Sequence, residues 1–364
     1  MRKAVARGDG LSAWLALGAV VSLVAGGLLV PGGVAGYVGS ISSGTARAAH
    51  PIQHVVVVVL ENEQLKQVIG HGPYERYLAG TYGNVSGLIA SCHPSAPNYL
   101  AMISAETNQC GTDAYNSYNN TTILDRLSGA GFSWASYAEN LPSGTCASPG
   151  GTTTAMFVPH HVPALFFSNV TANRTFCRQH VLGSGAFNKT VANGTLPTFS
   201  FFTPNMCDNG HNGCGTNHTS AQQVAQADAW LNGFLSPILN HSGKFSSKGE
   251  QTLVNHTAFL ILWDEGTGSN AGYTITGITS GENYAWCQAN GAKGDAVCGG
   301  HIFAVVVSPY SLGRSFTSRD SDSGIAATVE WLFHLAPLGN PGSFDTSRGF
   351  PAMKSIFSFR SDGY

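Results

Sequence analysis

Charged residues are scarce in this sequence. Lys, Arg, Asp and Glu make up only 10% of the 364 residues, the formal net charge is −2, and no run of Lys or Arg occurs. A surface that binds nucleic acid or an anionic membrane needs a basic patch. The composition therefore argues against a nucleic-acid partner, and it leaves an apolar N-terminal segment as the one expected route to a membrane.

CxxC-type cysteine pairs are also missing, which argues against zinc held by thiolates. The eight cysteines all follow residue 90, and their even number favours disulfides in an exported protein. Two pairs are close enough in sequence to close small loops: Cys207 with Cys214, and Cys287 with Cys298.

Internal repeats and low-complexity linkers are absent too, which argues against a purely structural surface protein. Apolar residues make up 43% of the chain, enough for a buried core. Although the chain exceeds the usual size of one domain, a single large α/β domain can accommodate it. We therefore predict one domain over residues 50–364.

The N-terminus has the pattern of a targeting segment. Basic residues precede a long apolar stretch, which a small-x-small triplet follows: Arg2, Lys3 and Arg7, then 11–38, then Ala46-Arg47-Ala48. This pattern predicts that residues 1–48 are a signal peptide or, if uncleaved, a membrane anchor. Either outcome places the remaining chain outside the cytoplasm, as a secreted or cell-surface protein.

Glycosylation sequons are dense, and they predict a glycoprotein if the host modifies exported chains. Ten Asn residues head N-x-[ST] triplets and are expected on surface loops: Asn84, Asn119, Asn120, Asn169, Asn173, Asn188, Asn193, Asn217, Asn240 and Asn255.

Short apolar runs alternate with helical patterns along the chain. The runs occupy residues 52–60, 132–138, 198–202, 258–263 and 302–307, and helices are predicted at 221–235 and 324–335. The first run is rich in Val and unbroken, which is typical of a strand buried on both faces. The alternation predicts an α/β domain with a mostly parallel central sheet covered by helices on both faces.

Acidic residues follow several of these runs directly. The segments after four predicted strands are Glu61-Asn62, Glu139-Asn140, Asp208 to His211, and Asp264-Glu265. The carboxyl ends of parallel strands share one edge of a sheet, where chemistry is usually located. Converging hard oxygen ligands favour a divalent cation, whereas helix capping explains an isolated acid equally well.

A second segment of interest reads SCHPSAPNYLAMIS, from residue 91 to residue 104. The apolar spacing predicts a helix that begins near Ser95, with Pro97 in its first turn. Ser95 either caps that helix or acts as a nucleophile activated by the helix dipole and a metal. In the second case, the free N–H groups of the first turn would bind phosphate oxygens.

Eight motifs occur in an order that resembles the phosphoesterase family of bacterial and archaeal acid phosphatases and phospholipases C. They are VVVVLEN, HPSAPNYLAMIS, YAEN, PHHVP, PNMCDNGHN, LILWDEG, GGHIFAVVVSP and ATVEWLF. The likeness runs from about residue 52 to residue 338. It implies an alkaline-phosphatase-like fold for nearly all of the expected mature chain.

The resemblance also implies roles for individual residues. Metal ligands implied by the EN and DE pairs are Glu61, Asn62, Asp264 and Glu265. Implied catalytic residues are Ser95 as nucleophile, with His161 and His211 as groups near the phosphate. Candidate substrate-binding residues are Asp208, His93, Asn98 and His160. His160 stands where the family has Lys, and Asn209 where it often has Asp.

The expected function is therefore that of an exported, metal-dependent acid phosphatase acting through a phosphoserine intermediate. Two alternatives remain: a phospholipase C-type phosphodiesterase, and an exported protein that binds a metal or phosphorylated ligand without turnover. The expected partner is a phosphoester, either a small molecule or a lipid head group. At least one divalent ion is expected, and a second would need Asp208, His211 or His301.

Overall fold

The computed structural model describes residues 51–151, 153–212, 214–215, 218–241, 253–266, 299–318, 320–338 and 352–359. All of them belong to one compact unit, Ala48–Tyr364. The predicted leader at 1–48 and the predicted pair Cys287 and Cys298 lie outside the described residues. No helix within the described ranges has both the length and the apolarity needed to cross a bilayer.

Two sheets organise the described chain. Their strands are β1 (His54–Leu60), β2 (Gly83–Val85), β3 (Leu88–Ala90), β4 (Trp134–Ala138), β5 (Val181–Gly183), β6 (Phe199–Thr203), β7 (Thr257–Trp263), β8 (Gly300–His301), β9 (Ala304–Val307), β10 (Ser315–Phe316) and β11 (Asp320–Ser321). The larger sheet has the order β10-β2-β9-β7-β1-β6-β4-β5, and the smaller has the order β11-β3-β8.

Strand β1 lies in the middle of the larger sheet. Its Val run is fully buried, and it pairs in parallel with β6 and β7, with Val57 opposite both Phe201 and Leu260. β-branched residues suit such a strand because they pack well on both faces of the pleat. The predicted α/β fold with a mostly parallel sheet is confirmed. The exception to the parallel arrangement is β9, which pairs antiparallel with both β7 and β2.

Helices cover both faces of the sheet. They are α1 (Leu65–His71), α2 (Pro73–Thr81), α3 (Ser95–Ser104), α4 (Ile123–Gly129), α5 (Ser168–Thr171), α6 (Arg174–His180), α7 (Ser184–Ala192), α8 (Ser220–Leu239) and α9 (Ser323–Leu332). One group is formed by α1, α2 and α8, and another by α3, α4 and α9. The helix predicted to end at residue 335 stops three residues earlier, where His334 adopts a left-handed φ of 53°.

Three disulfides join described cysteines. The predicted Cys207–Cys214 pair is confirmed, and the pairs Cys92–Cys110 and Cys146–Cys177 were not predicted. The prediction that sequons lie on surface loops is wrong for Asn84, which is part of β2, and for three helical residues: Asn169 in α5, Asn188 in α7 and Asn255. The pattern of apolar residues had predicted neither strand β2 nor helix α7.

The topology gathers several strand ends at one edge of the larger sheet. β1, β4, β6 and β7 run in parallel, so the residues that follow them emerge together. Because β9 runs in the opposite direction, its first residues also lie at this edge. His301 therefore precedes β9 at the edge predicted for chemistry, although its Nε2 atom is bonded to the carbonyl of Ser86 at 2.8 Å.

Candidate active site

Ser95 is the first residue of α3, but it does not cap the helix. The N-cap position belongs to Pro94, and no side chain caps the helix there. The Ser95 hydroxyl is 3% exposed; it donates to Glu61 Oε2 at 3.0 Å and lies 3.3 Å from Glu265 Oε1. The capping interpretation of Ser95 is therefore wrong, and its oxygen faces two carboxylates.

The loop that leads to Ser95 is held at several points. Asp322 Oδ2 accepts from the Ser91 N–H at 2.8 Å, across 231 positions of sequence. The Asn98 side chain accepts from the Cys92 N–H at 3.0 Å and donates to the Cys92 carbonyl at 2.9 Å. A disulfide links Cys92 to Cys110. Asn98, predicted to bind substrate, thus makes a pair of hydrogen bonds that fix the loop before the serine.

Three carboxylates meet at the edge of the sheet where β1 and β7 end. Glu61 and Asp264 are fully buried, and Glu265 is 3% exposed. Asp264 Oδ1 accepts from the backbone N–H of Asn62 at 3.1 Å, which links the EN and DE pairs directly. Asn62 adopts a left-handed φ of 62°, a conformation that Asn tolerates better than most residues.

Within the described residues, no Lys or Arg lies beside these carboxylates to balance negative charge on them. Burial and, to a smaller extent, the charge of Glu61 raise the pKa of Asp264 well above its usual range. Burial, followed by the charge of Asp264, does the same to the pKa of Glu265. Ion pairs within the described residues involve only His, and Asp264 Oδ2 has no hydrogen-bond partner. Hard oxygen donors with uncompensated charge fit one divalent cation.

Two buried histidines contact the carboxylates. His161 Nε2 lies 3.0 Å from Glu61 Oε1, and the ring stacks on Tyr99 with centroids 5.0 Å apart. His93 Nδ1 lies 2.6 Å from Glu265 Oε2. Burial lowers the pKa of His161 well below its usual value and that of His93 to about 4. Both imidazoles are therefore favoured as neutral hydrogen-bonding groups here.

His160 and His211 lie at the margin of this cluster. The His160 ring centroid is 4.6 Å from that of His161, and its Nε2 is 3.9 Å from Asp113 Oδ2. Burial, followed by the charge of His161, lowers the pKa of His160 to about 3. The charge of His211 acts in the direction that lowers the pKa of Glu61 and of His161, and its ring nitrogen Nδ1 lies 2.6 Å from Asn212 Oδ1.

Asp208 belongs to a neighbouring group. Asn205 Nδ2 donates to Asp208 Oδ2 at 2.7 Å and to Glu139 Oε2 at 3.0 Å, so this amide bridges the ends of β4 and β6. Trp230 Nε1 donates to Glu139 Oε1 at 3.3 Å. The structure thus brings Asp208 together with Glu139, and Asp208 makes no described contact with Ser95.

Three residues of the cluster were not predicted from the sequence. Tyr99 donates its hydroxyl to Glu61 Oε1 at 2.5 Å. Its position four residues after Ser95, on the same helix face, was a usable signal. Asp322 and Asp113 reach the nucleophile loop from distant segments, and no local pattern marks either one.

Asp113 also corrects one prediction about phosphate binding. The first-turn N–H groups of α3 were expected to be free, but the Ala96 N–H donates to Asp113 Oδ1 at 2.9 Å. A carboxylate of the protein therefore occupies one of the predicted anion-binding donors.

Residues 86–336 of the chain match the phosphoesterase family, and the chain belongs to that family. The predicted enzyme class, a phosphoester hydrolase, is confirmed. The chain is 31% identical over 263 residues to a phosphatidylinositol-3-phosphatase from Mycobacterium tuberculosis, covering 69% of this chain and 75% of that protein. It is 30% identical over 196 residues to an acid phosphatase from Aspergillus fumigatus, covering 52% of this chain but only 40% of the fungal protein.

Solved structures are similar at the level of the fold. A Bacteroides thetaiotaomicron protein, solved in work on the metabolism of multiple glycosaminoglycans, aligns with a TM-score of 0.52 at 12% identity, over 84% of this chain and 82% of its own. A member of the alkaline phosphatase superfamily from Vibrio parahaemolyticus aligns with a TM-score of 0.48 at 12% identity, over 78% and 68%. A score below 0.5 adds no weight to the assignment.

Proposed function

We propose that this phosphoester hydrolase is an exported, metal-dependent phosphomonoesterase whose nucleophile is Ser95. The observation that carries the proposal is the position of the Ser95 hydroxyl, 3.0 Å from Glu61 Oε2 and 3.3 Å from Glu265 Oε1. A serine that faces two buried carboxylates gains little stability from that contact unless a cation or a proton is shared there. The arrangement suits activation of the hydroxyl.

Glu61, Asn62, Asp264 and Glu265 would hold the divalent cation. When bound, the cation supplies charge that stabilises the ionised hydroxyl and the phosphoryl oxygens. Hydrogen bonds already hold these residues in position: the Asn62 N–H donates to Asp264, and the Tyr99 hydroxyl donates to Glu61. Oxygen donors favour Ca, Mg or Mn, while Zn accepts them as well.

The chemistry assigned to the side chains is a double displacement. Ser95 Oγ passes its proton to the adjacent Glu61 carboxylate and forms a bond to phosphorus, while the ester oxygen leaves on the opposite side. The departing alkoxide takes a proton from His211, while His161, which burial favours as a neutral imidazole, donates a hydrogen bond to a phosphoryl oxygen. Water then attacks the phosphoserine from the vacated side and gives a proton to the histidine that protonated the leaving group. Glu61 returns its proton to the departing Ser95 oxygen, which releases phosphate.

Three further observations support the finer parts of the proposal. The mycobacterial relative is named for a phosphoinositide, so we extend the substrate class to phosphomonoesters on lipid head groups as well as small molecules. The phosphatase names of the relatives favour a monoesterase over a phospholipase C-type diesterase. Export is supported by the three disulfides, which form and persist in oxidising compartments.

The test is phosphate release from monoesters by metal-supplemented protein, with and without a chelator. Turnover that the chelator abolishes and that metal restores is expected. Two in-line displacements predict net retention at phosphorus with a chiral phosphate ester, whereas net inversion would contradict a phosphoserine intermediate. Metal binding without any release of phosphate would instead indicate a binding protein.

A further inference from the structure

Asp113 occupies an unusual place beside the proposed nucleophile. It belongs to the segment between α3 and α4, which the Cys92–Cys110 disulfide ties to the nucleophile loop. The Gly111 N–H donates to the His93 carbonyl at 2.8 Å, a second tie to the same loop. The Asp113 carboxylate is thereby held against the start of α3, where Oδ1 accepts from the Ala96 N–H at 2.9 Å.

The charge of Asp113 is not neutralised by a nearby cation. The ionisable partner of Asp113 in the described residues is His160, whose Nε2 lies 3.9 Å from Oδ2. Burial lowers the pKa of that His to about 3, which favours its neutral form. The Asp113 side chain is 35% exposed, so it remains accessible from the solvent side of the site. Its charge also reaches Glu61 and Glu265, where it acts in the direction that raises their pKa.

A phosphoryl group bonded to Ser95 must lie beside these same atoms. The Ala96 N–H belongs to the residue directly after the nucleophile, and a free N–H at that position of a helix would bind a phosphoryl oxygen. Asp113 therefore competes with the substrate for a donor and adds a negative charge where the phosphoryl oxygens arrive. Each additional charge on the substrate meets that repulsion in full.

We propose that Asp113 sets the charge preference of the site: it disfavours a doubly charged phosphoryl group relative to a singly charged one. The inference rests on the proposed role of Ser95 and refines its substrate class. A singly charged phosphoryl group has two sources, a phosphodiester at any pH and a phosphomonoester in acid. Asp113 is a specificity-determining residue in this account.

The experiment compares Asp113→Asn with the wild-type holoenzyme on glycerol 2-phosphate and on bis(p-nitrophenyl) phosphate. Asn retains an oxygen that can accept from Ala96, so the variant removes the charge and keeps the contact. The monoester is assayed at about one unit below and two units above its second pKa, which is about 6 for phosphate esters. The variant-to-wild-type ratio of kcat/KM cancels the pH dependence of groups that Asp113 does not influence. The diester keeps one charge at both pH values, so its ratio at the same two pH values reports any change that comes through Glu61 and Glu265.

We expect this ratio to rise about tenfold for the doubly charged monoester, a size typical of removing one charge from a partly solvated site. It should rise only about threefold for the singly charged monoester and for the diester, because the repulsion scales with the charge of the substrate. Inorganic phosphate should inhibit the variant more strongly at the higher pH, which reports binding without turnover. Asp113→Ala also frees the Ala96 N–H and should strengthen phosphate inhibition further.

A matched control is Glu106→Gln, on the same connecting segment. Glu106 Oε2 accepts from Asn120 Nδ2 at 3.1 Å, a contact that Gln can retain, and the ratio should not change. Equal ratios for all substrates in Asp113→Asn, or an equal loss for all of them, would overturn the inference and assign Asp113 a structural role. If Ser95→Ala retained turnover, the proposed nucleophile itself would fail, which is a separate result.

Discussion

The Ser95 hydroxyl donates to Glu61 Oε2 at 3.0 Å, joining the first turn of α3 to the end of β1. The other oxygen of Glu61 accepts from Tyr99, one helical turn further along α3. Two side chains on one helix face therefore fix both oxygens of the same buried carboxylate. Any shift of α3 moves the proposed nucleophile and a proposed metal ligand together, so the two functions are geometrically coupled.

Ser95→Ala should reduce turnover at least about a thousandfold, because the other hydroxyl that contacts Glu61 among the described residues, that of Tyr99, belongs to a fully buried side chain whose pKa is raised by burial. Phosphate release measures the loss, while circular dichroism and calorimetric titration of metal should show an intact fold and metal affinity within a few fold. Ser104→Ala is the matched control on the same helix. The Ser104 hydroxyl donates to the Leu100 carbonyl, away from the carboxylates, and that variant should retain activity.

Asp264→Asn should have opposite effects on stability with and without metal. Removing one of three mutually repelling, buried carboxylates should raise the Tm of metal-free protein. The same change should remove most of the stabilisation by added divalent ion, which is about 2.7 kcal/mol at a hundredfold excess over Kd for a single site. Thermal unfolding with a chelator and with excess metal tests both effects. A variant that lost stability equally under both conditions would argue against a metal at this position.

The free energy of unfolding should also depend on pH through Glu139. Burial raises the pKa of Glu139 from 4.5 to about 7, with the charge of Asp208 adding to the effect. A raised pKa in the folded state means that the group favours folding when protonated. Its contribution is fully present below about pH 4.5 and is lost as the pH rises through 7.

Glu139→Gln should therefore flatten the decline of stability between these pH values. Gln does not titrate, and its one oxygen can still accept from Asn205, although the contact with Trp230 Nε1 is then lost. Chemical denaturation at a series of pH values measures the effect. Identical slopes for the variant and the wild-type protein would show that Glu139 does not titrate in this range.

The parts of the site that strand ends and helix periodicity determine were predictable from the sequence. Glu61 and Asp264 each follow a Val- or Leu-rich parallel strand, so their convergence follows from the topology. The start of α3 at Ser95 follows from local spacing. The sequence did not indicate the antiparallel direction of β9, because the apolar pattern of a buried strand is the same whether the strand runs parallel or antiparallel to its neighbours.

Asp113 could not be predicted because it lies on an irregular segment, and Asp322 because it is the N-cap residue of α9, a position where an acid is common whatever it contacts. Asp322 meets Ser91 across 231 positions, and Asp113 meets Ala96 across 17 positions without a helix or strand of its own. Hydrogen bonds of this kind leave no periodic pattern in a single sequence. The sequence alone therefore indicated the carboxylates at the strand ends and the serine at the start of α3. It did not indicate Asp322 or Asp113, which hydrogen-bond to the backbone on either side of that serine.

The disulfide beside the nucleophile loop should matter for catalysis as well as stability. Cys92–Cys110 closes a loop of sequence separation 18 and holds the segment that carries Asp113. Replacing both cysteines with Ala should cost about 3 kcal/mol of stability. It should also lower kcat in protein that remains folded, because the loop before Ser95 loses one of its attachments.

The matched control is the double Ala variant of Cys146 and Cys177, whose sequence separation is 31. Its longer loop predicts an equal or slightly larger loss of stability. No atom of that disulfide belongs to the cluster around Ser95, so kcat per folded molecule should be unchanged. Chemical denaturation and active-site-normalised turnover separate the two effects. Equal kcat values for both variants would show that the Cys92–Cys110 link contributes only to folding.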